Sequence, residues 1–341
     1  MEPGERDLEI EILTHRQRLE KVISGQKPDR IPVALWRHFP VDDQSPERLA
    51  AATASFQKTF DFDLIKVTPS SSFCLKDWGV DDVWKGDPEG TRSYTRFVIH
   101  EPEDWYRLPV LSPDRGYLAQ QLTCLKLLAK DFSPNTPILQ SIFNPLSQAK
   151  NLVSRDLLLV HLRKYPEAVE AGLRTITETT LNFISEMKKT GIDGIFYAIQ
   201  HAQYDLLTED EFTRFSVGYD QQILKAVQSL WLNIVHLHGE NVMFDIVARY
   251  PVQILNWHDR HCQPDLKSAS SRFPGILCGG LSRIESIVLG TPENVFQEAR
   301  QAFADSGGKN FILGTGCVVP VTAPFGNLLA ARRCVVEPGL I

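Results

Sequence analysis

The chain has 341 residues, a formal net charge of −6, 43% hydrophobic and 23% charged residues, which fits one large α/β barrel or two ordinary soluble domains. Mild acidity and only short basic runs such as Arg332-Arg333 argue against nucleic-acid binding, and the absence of an apolar run of about 18 residues argues against a membrane span. The six cysteines form no CxxC pair, which disfavours a disulfide framework or a zinc ribbon. The opening Met1-Glu2-Pro3-Gly4-Glu5-Arg6-Asp7 carries no apolar signal-peptide core, so a reducing cytoplasm is the expected location.

In chain order, residues 14–24 predict a helix that stops at Gly25, before the turn-like Lys27-Pro28-Asp29-Arg30. Residues 31–36 read as a first strand, with Pro32 near its start where a missing N–H is tolerated. Ser45 and Pro46 then supply an N-cap and first helical position for a helix to about residue 60. Residues 63–67 predict strand two. The stretch 68–113, with Trp78, Trp84, Tyr94 and Trp105, predicts a β-hairpin insertion that either covers the barrel mouth or packs on its side.

A helix over 114–130 leads to strand three at 138–143. Helical stretches at 147–162 and 166–190 follow, broken at Tyr165-Pro166. Strand four is expected at 194–199, strand five at 232–235, strand six at 253–257, strand seven at 275–278 and strand eight at 311–313. Between them, Thr208 to Glu211 and Thr291-Pro292-Glu293 open helices, and a last helix begins near Pro324. Eight strand-like runs alternating with helices predict a single (β/α)8 barrel over residues 1–341; no strand is followed by a GxGxxG or P-loop that would favour an open sheet.

Chemistry-bearing residues collect at the predicted strand ends, where parallel barrels keep their sites. His236-Leu237-His238-Gly239-Glu240 sets two imidazoles on one side of an extended chain. Gly314-Thr315-Gly316-Cys317 delivers a thiol at another strand tip, so His236, His238 and Cys317 form a candidate three-ligand metal site. Glu240 reads as an orienting acceptor or general acid/base, or as the acid opening a helix over 241–250. Trp257-His258-Asp259-Arg260 offers His258 and Asp259 for catalysis and Trp257 and Arg260 for substrate, with an Asp–Arg loop pair sealing the mouth as the structural alternative. Arg37 and His38 after strand one could grip a carboxylate or phosphate. Gln200, His201 and Tyr204 after strand four are expected to line the pocket.

These segments resemble the uroporphyrinogen decarboxylase superfamily and its cobalamin-dependent methyltransferases. The likeness runs from Arg18-Leu19 and Pro28-Asp29-Arg30-Ile31-Pro32-Val33, through Asn256-Trp257-His258-Asp259 and Cys278-Gly279-Gly280-Leu281, to the Gly-Thr-Gly-Cys loop with Pro320 and Pro324. The resemblance implies the same (β/α)8 barrel. Its metal-free decarboxylase branch holds an acidic tetrapyrrole with arginines. Arg37 fits the first of these, but Val41 stands at the second, no acid lies at 68–70, and Asn151 and Thr315 replace a tyrosine and a histidine. Its methyltransferase branch binds zinc through a His-x-Cys pair and a last-loop cysteine. Here His236 and Cys317 match, and His238 replaces the first cysteine. The implied function is therefore zinc-dependent activation of a thiol or similar nucleophile for methyl transfer from a corrinoid on a separate carrier, with decarboxylation of uroporphyrinogen in porphyrin biosynthesis as the alternative.

Overall fold

A computed structural model describes residues 12–336; the polar opening stretch read above lies outside them. Strands β1 (Val33–Ala34) and β2 (Ile65–Val67) come first, and a separate antiparallel pair follows, β3 (Asp81–Val83) with β4 (Ser93–Arg96). The remaining strands are β5 (Ile138–Phe143), β6 (Gly194–Ile199), β7 (Ile234–Leu237), β8 (Ile254–Trp257), β9 (Ile276–Leu281) and β10 (Phe311–Thr315). All but β3 and β4 join one eight-stranded sheet in the order β1-β10-β9-β8-β7-β6-β5-β2, and each pairing is parallel. This is the (β/α)8 barrel that the alternation of segments predicts.

The seam between the end strands β1 and β2 is closed by Asp63. Its backbone N–H donates to the Val33 carbonyl at 2.8 Å, and its carboxylate accepts the Val33 N–H at 2.7 Å.

The helices begin with α1 (His15–Ile23), which packs on the inner core, and the outer layer starts with α2 (Pro46–Phe60), α3 (Gly116–Phe132), α4 (Pro145–Val153), α5 (Arg155–Lys164) and α6 (Pro166–Met187). After them come α7 (Glu209–Phe212), α8 (Gly218–Ala226), α9 (Phe244–Val247), α10 (Leu266–Ala269), α11 (Pro292–Asp305) and α12 (Phe325–Arg333). Ser45 caps α2 by accepting the Arg48 N–H, and Thr14 and Gln17 form a capping box on α1. The predicted helix over 147–162 is two helices, because Ser154 sits at φ 95° between them. No described helix is long and apolar enough to cross a membrane.

Strand parity divides the core into two layers. Phe196, Ala198, Ile234, Ile254, Cys278 and Ile312 point into the barrel, where Leu19 and Val22 of α1 also pack. Tyr197, Val235, Leu237, Leu255, Trp257 and Leu313 point outward onto the helices. On the inward parity the side chains turn polar toward the strands' C-terminal ends, at Lys66, Ser141, His236 and Asn256. That polar end is the mouth.

The 68–113 segment runs from the mouth to the flank of the barrel. Its turn residues Glu89, Gly90 and Thr91 line the mouth together with His236, His238 and Cys317. Trp105, fully buried, packs against Gly172 of α6 on the barrel's flank. Gly90 is required in the turn: at φ +79° it abuts His38, and an added Cβ would lie 2.5 Å from the His38 Cβ.

Candidate metal centre

β7 and β8 run side by side with His236 opposite Asn256. Both lie on the inward parity, so imidazole and carboxamide meet inside the barrel. His236 Nδ1 lies 2.7 Å from Asn256 Oδ1. The other end of that amide donates to two carbonyls, Cys278 O at 2.8 Å and Thr315 O at 3.0 Å. Two carbonyls accept only from N–H, so the amide orientation is fixed and Oδ1 must face the histidine. His236 therefore carries its proton on Nδ1, and Nε2 keeps a free lone pair.

Three more donors surround it. The ring of His238 lies 5.9 Å from that of His236, and His258 lies 5.8 Å from His236 and 5.0 Å from His238. Cys317 Sγ is 3.9 Å from His238 Nδ1. One ligand-capable atom from each of His236, His238, His258 and Cys317 falls within 4.8 Å of all the others. Ligand atoms around a tetrahedral zinc are separated by roughly 3.3–3.8 Å, so the group is within a small side-chain adjustment of that shape.

Cys317 reaches the cluster because Gly316 lets the end of β10 lie against β8. A Cβ on Gly316 would fall 2.5 Å from the Trp257 carbonyl and 2.7 Å from His258 Cα.

The electrostatics suit a metal as well. Burial, then neighbouring His258, holds His236 well below its ordinary pKa. Burial and Lys150 push His238 down to about 4, and burial with His238 pushes His258 down to about 3. All three rings are thus neutral donors at pH 7. His258 Nε2 is also buried with no hydrogen-bond partner among the described residues, which is costly unless something ligates it. Burial raises the Cys317 thiol, with Arg283 and Lys66 opposing. The residues present therefore fit a zinc ion, and only Cys317 need lose a proton to hold one.

The other residues singled out in the sequence divide sharply. His38 and Gln200 line the mouth, a cavity of about 270 Å³. Arg37 does not; it lies over the Phe39 ring in a separate crevice between β1 and α2. Trp257 points the opposite way from Asn256, is fully buried against Phe244, and donates Nε1–H to the Pro264 carbonyl. Asp259 accepts the Gly280 N–H at 2.9 Å, and Arg260 donates to the Gly280 carbonyl at 2.8 and 2.6 Å. These two pin the β8 loop to β9 rather than face the cavity. The side chain of His201 is buried off the cavity wall. Tyr204 is half-exposed and donates to Glu209. Glu240 is exposed and precedes no long helix, since α9 covers only Phe244–Val247.

Sequence reading passed over Asn256 as a functional residue, along with Lys66, Lys150 and Arg283. Only the register of β7 on β8 exposes the role of Asn256. Replacing it with leucine is expected to lower metal affinity about 10–100-fold while the circular dichroism spectrum is retained, as measured by competition with a chromophoric chelator. A larger cavity of about 1280 Å³ lies at the barrel's opposite, N-terminal end, between Ile12 and Val336 near the two ends of the described chain. It contains none of the cluster.

Comparison with known proteins agrees with this architecture. The family model for uroporphyrinogen decarboxylase (URO-D) matches residues 14–337. The methylcobamide:CoM methyltransferase MtbA of Methanosarcina acetivorans is 21% identical over 337 residues, spanning 94% of this chain and 97% of that protein. MtaA of Methanosarcina barkeri, of the same described activity, is 21% identical over 341 residues with the same two shares. Among solved structures, a methyltransferase from Methanosarcina mazei superimposes with a TM-score of 0.82 at 19% identity, covering 94% of this chain and 99% of its own. A B12-independent methionine synthase from Shewanella sp. W3-18-1 gives 0.58 at 12% identity, with 89% and 92% covered. Matched from its first described helix to its last, the chain belongs to the uroporphyrinogen decarboxylase family.

Proposed function

We propose that this protein is a corrinoid-linked methyltransferase whose mouth holds zinc through His236, His238 and Cys317, with His258 as a fourth donor. The observation that carries this reading is the convergence of four ligand-capable atoms within 4.8 Å around a histidine whose tautomer is already set. It is supported by the relatives named as methylcobamide:CoM methyltransferases. A zinc ion bound there would hold the sulfur of a thiol substrate as thiolate, the form that attacks a methyl group, with the sulfur taking the place of the exchangeable His258. The corrinoid is brought by a separate carrier or arrives free.

The chain's own residues prepare that site. Asn256 orients His236 through Nδ1, and the Phe196 ring stacks on His236 at 5.3 Å. The turn carrying Glu89 spans the mouth and is fastened to the opposite rim by the Glu89–Arg283 ion pair and by Val321 N–H donating to the Pro88 carbonyl at 2.7 Å. Together they limit water at the cluster. For decarboxylation of an acidic tetrapyrrole, the one arginine that matches that branch, Arg37, lies outside the cavity, so the geometry lends that alternative no support.

Two measurements test the proposal. The purified protein should contain about one zinc per chain by elemental analysis, and should convert methylcobalamin and a small thiol into the thioether, followed by loss of the methyl–cobalt absorbance. Folded protein free of stoichiometric metal, or zinc-loaded protein inert toward every thiol offered, would overturn it.

A further inference from the structure

Most of the mouth wall is barrel: the ends of β2, β5, β6 and β7, the loops that leave them, and α4. One part is different. The turn over residues 87–90 belongs to the stretch that joins β3 to β4, yet its Glu89 and Gly90 line the same cavity as His236, His238 and Cys317. Asp87 and Pro88 are exposed, and Glu89 is half-buried. Among the described residues, two polar contacts fasten the turn to the opposite rim. They are the Glu89–Arg283 ion pair and the 2.7 Å hydrogen bond from the Val321 N–H to the Pro88 carbonyl. The side chains of that pair are 33% and 15% exposed, so both regain water on parting and the pair costs little to break.

The turn is built to move as one piece. The Glu89 N–H donates to Asp87 Oδ1 at 2.8 Å and the Gly90 N–H to the Asp87 carbonyl at 2.9 Å, so the tip holds its own shape. Gly86 and Gly90 sit at either end, at φ +83° and +79°, and a Cβ on Gly86 would meet nothing within 4 Å. The backbone can rotate there without collision. Beyond Gly90, Arg92 is anchored to the Pro40 carbonyl at 2.8 Å, to Asp82 at 2.7 Å and to Asp43 at 3.4 Å. A fixed base and a lightly held tip describe a segment that opens locally while the barrel stays folded.

We propose that residues 87–90 are a gate latched by Glu89 and Arg283. Shut, it admits a small thiol to the cluster; it must swing off the rim before a methylated corrinoid can react there. This rests on the methyl-transfer reading above and adds how the larger reactant gains access. Displacement at the methyl carbon sets the attacking sulfur opposite cobalt. The carbon–sulfur bond forms as the cobalt–carbon bond breaks, and the electron pair of the broken bond stays on cobalt. Sulfur and carbon start about 3–3.5 Å apart, so the macrocycle has to lie face-on over the cluster. His236 and Cys317 are buried, and a cavity of about 270 Å³ takes a molecule of a few heavy atoms, not a corrin ring. The turn is the wall that can give way, because it alone is not tied into the barrel.

Two readouts test the gate on the zinc-loaded protein and on Glu89→Gln and Arg283→Met, which remove the latch and no member of the cluster. The first is amide hydrogen exchange at Val321, whose N–H is freed when the turn lifts from the rim. It should quicken by about fivefold in both variants, the upper reach of one partly exposed ion pair, while the amides of β7 and β8 keep their protection. The second compares two methyl donors offered with 2-mercaptoethanol: methylcobalamin, which needs the gate open, and methyl iodide, which does not. The kcat/KM for methylcobalamin should rise with the open population, again by about fivefold, and the catalysed rate with methyl iodide should stay as it was.

Unchanged Val321 exchange in both variants, or two donors that respond alike, overturns the gate. Transfer from neither donor counts against the methyl-transfer reading instead. The gate is then decided by calorimetric affinity for methylcobalamin itself: tighter binding in both variants supports it, and equal binding overturns it.

Discussion

Asp63→Ala is expected to lower the unfolding free energy by about 3–5 kcal/mol, the range found when one partner is removed from a buried ionic network. The carboxylate is fully buried. It accepts from Arg18 Nη1 at 2.7 Å, from Arg30 Nη1 and Nη2 at 2.6 and 2.9 Å, and from the Val33 N–H at 2.7 Å, with His15 Nδ1 at 2.9 Å. Without it, Arg18, only 3% exposed, and the neighbouring Arg30 guanidinium would remain desolvated. The β1–β2 seam would also lose the acceptor of one of its two Asp63–Val33 hydrogen bonds.

The same network predicts a pH signature. Burial opposes ionisation of Asp63, but His15, Arg30 and Arg18 outweigh it and hold the carboxyl far below its ordinary value of 3.8. A depressed folded pKa contributes stability above the unfolded value, and that contribution is lost as pH falls below about 4. His15 behaves oppositely. Burial lowers its pKa, but Asp61 and Asp63 raise it above 6.5 overall, so its contribution is complete below that value and fades as pH rises through the folded pKa. Urea unfolding of the unaltered protein should show a loss on the acid side and a smaller one above neutrality. Asp63→Ala should flatten both limbs. A stability change under about 1 kcal/mol, the size of an ordinary substitution, would mean that the seam is held by something else.

The barrel was legible because its signals are local. Apolar runs of strand length, proline and serine at helix starts, and glycine at helix ends are readable without knowing what packs where. The convergence of His236, His238 and Cys317 was legible because a two-residue spacing on a strand fixes a common side, and because the donor type is visible in the residue name. What sequence could not supply was parity at the next strand. Asn256 and Trp257 are adjacent, and without the parity the larger side chain is the more conspicuous candidate for substrate contact. The pleat turns Trp257 onto Phe244 and Asn256 onto His236.

Lys66 was hidden for a related reason. A lysine between Ile65 and Val67 reads as the solvated position of an alternating strand, yet a barrel buries both faces of β2, and all three residues are buried. Asp259 and Arg260 misled in the other direction. Charged residues at a strand end suggest chemistry, but the approach of the β8 loop to Gly279 and Gly280 turns them to backbone anchoring. Burial pushes Asp259 up to about 7, which marks a desolvated structural acid and needs no substrate to explain it.

Replacing single members of the cluster should separate anchoring donors from an exchangeable one. His236→Ala and Cys317→Ala are each expected to abolish stoichiometric zinc and to lower methyl transfer by about a thousandfold or more, the several kcal/mol that a Lewis acid contributes. His236 is the donor whose lone pair the barrel has already oriented through Asn256. On the proposed reading Cys317 would be the one anionic ligand, supplying the charge that offsets the dication in a buried site otherwise made of neutral imidazoles. His258→Ala should behave differently. Its Nε2 is buried with no hydrogen-bond partner among the described residues, and as the fourth, exchangeable donor its removal would leave His236, His238 and Cys317 in place. Zinc should then remain, bound more weakly in chelator competition, with thiol binding retained. Equal loss of zinc in all three variants would make His258 an anchoring ligand, and full zinc in Cys317→Ala would remove the thiolate from the site altogether.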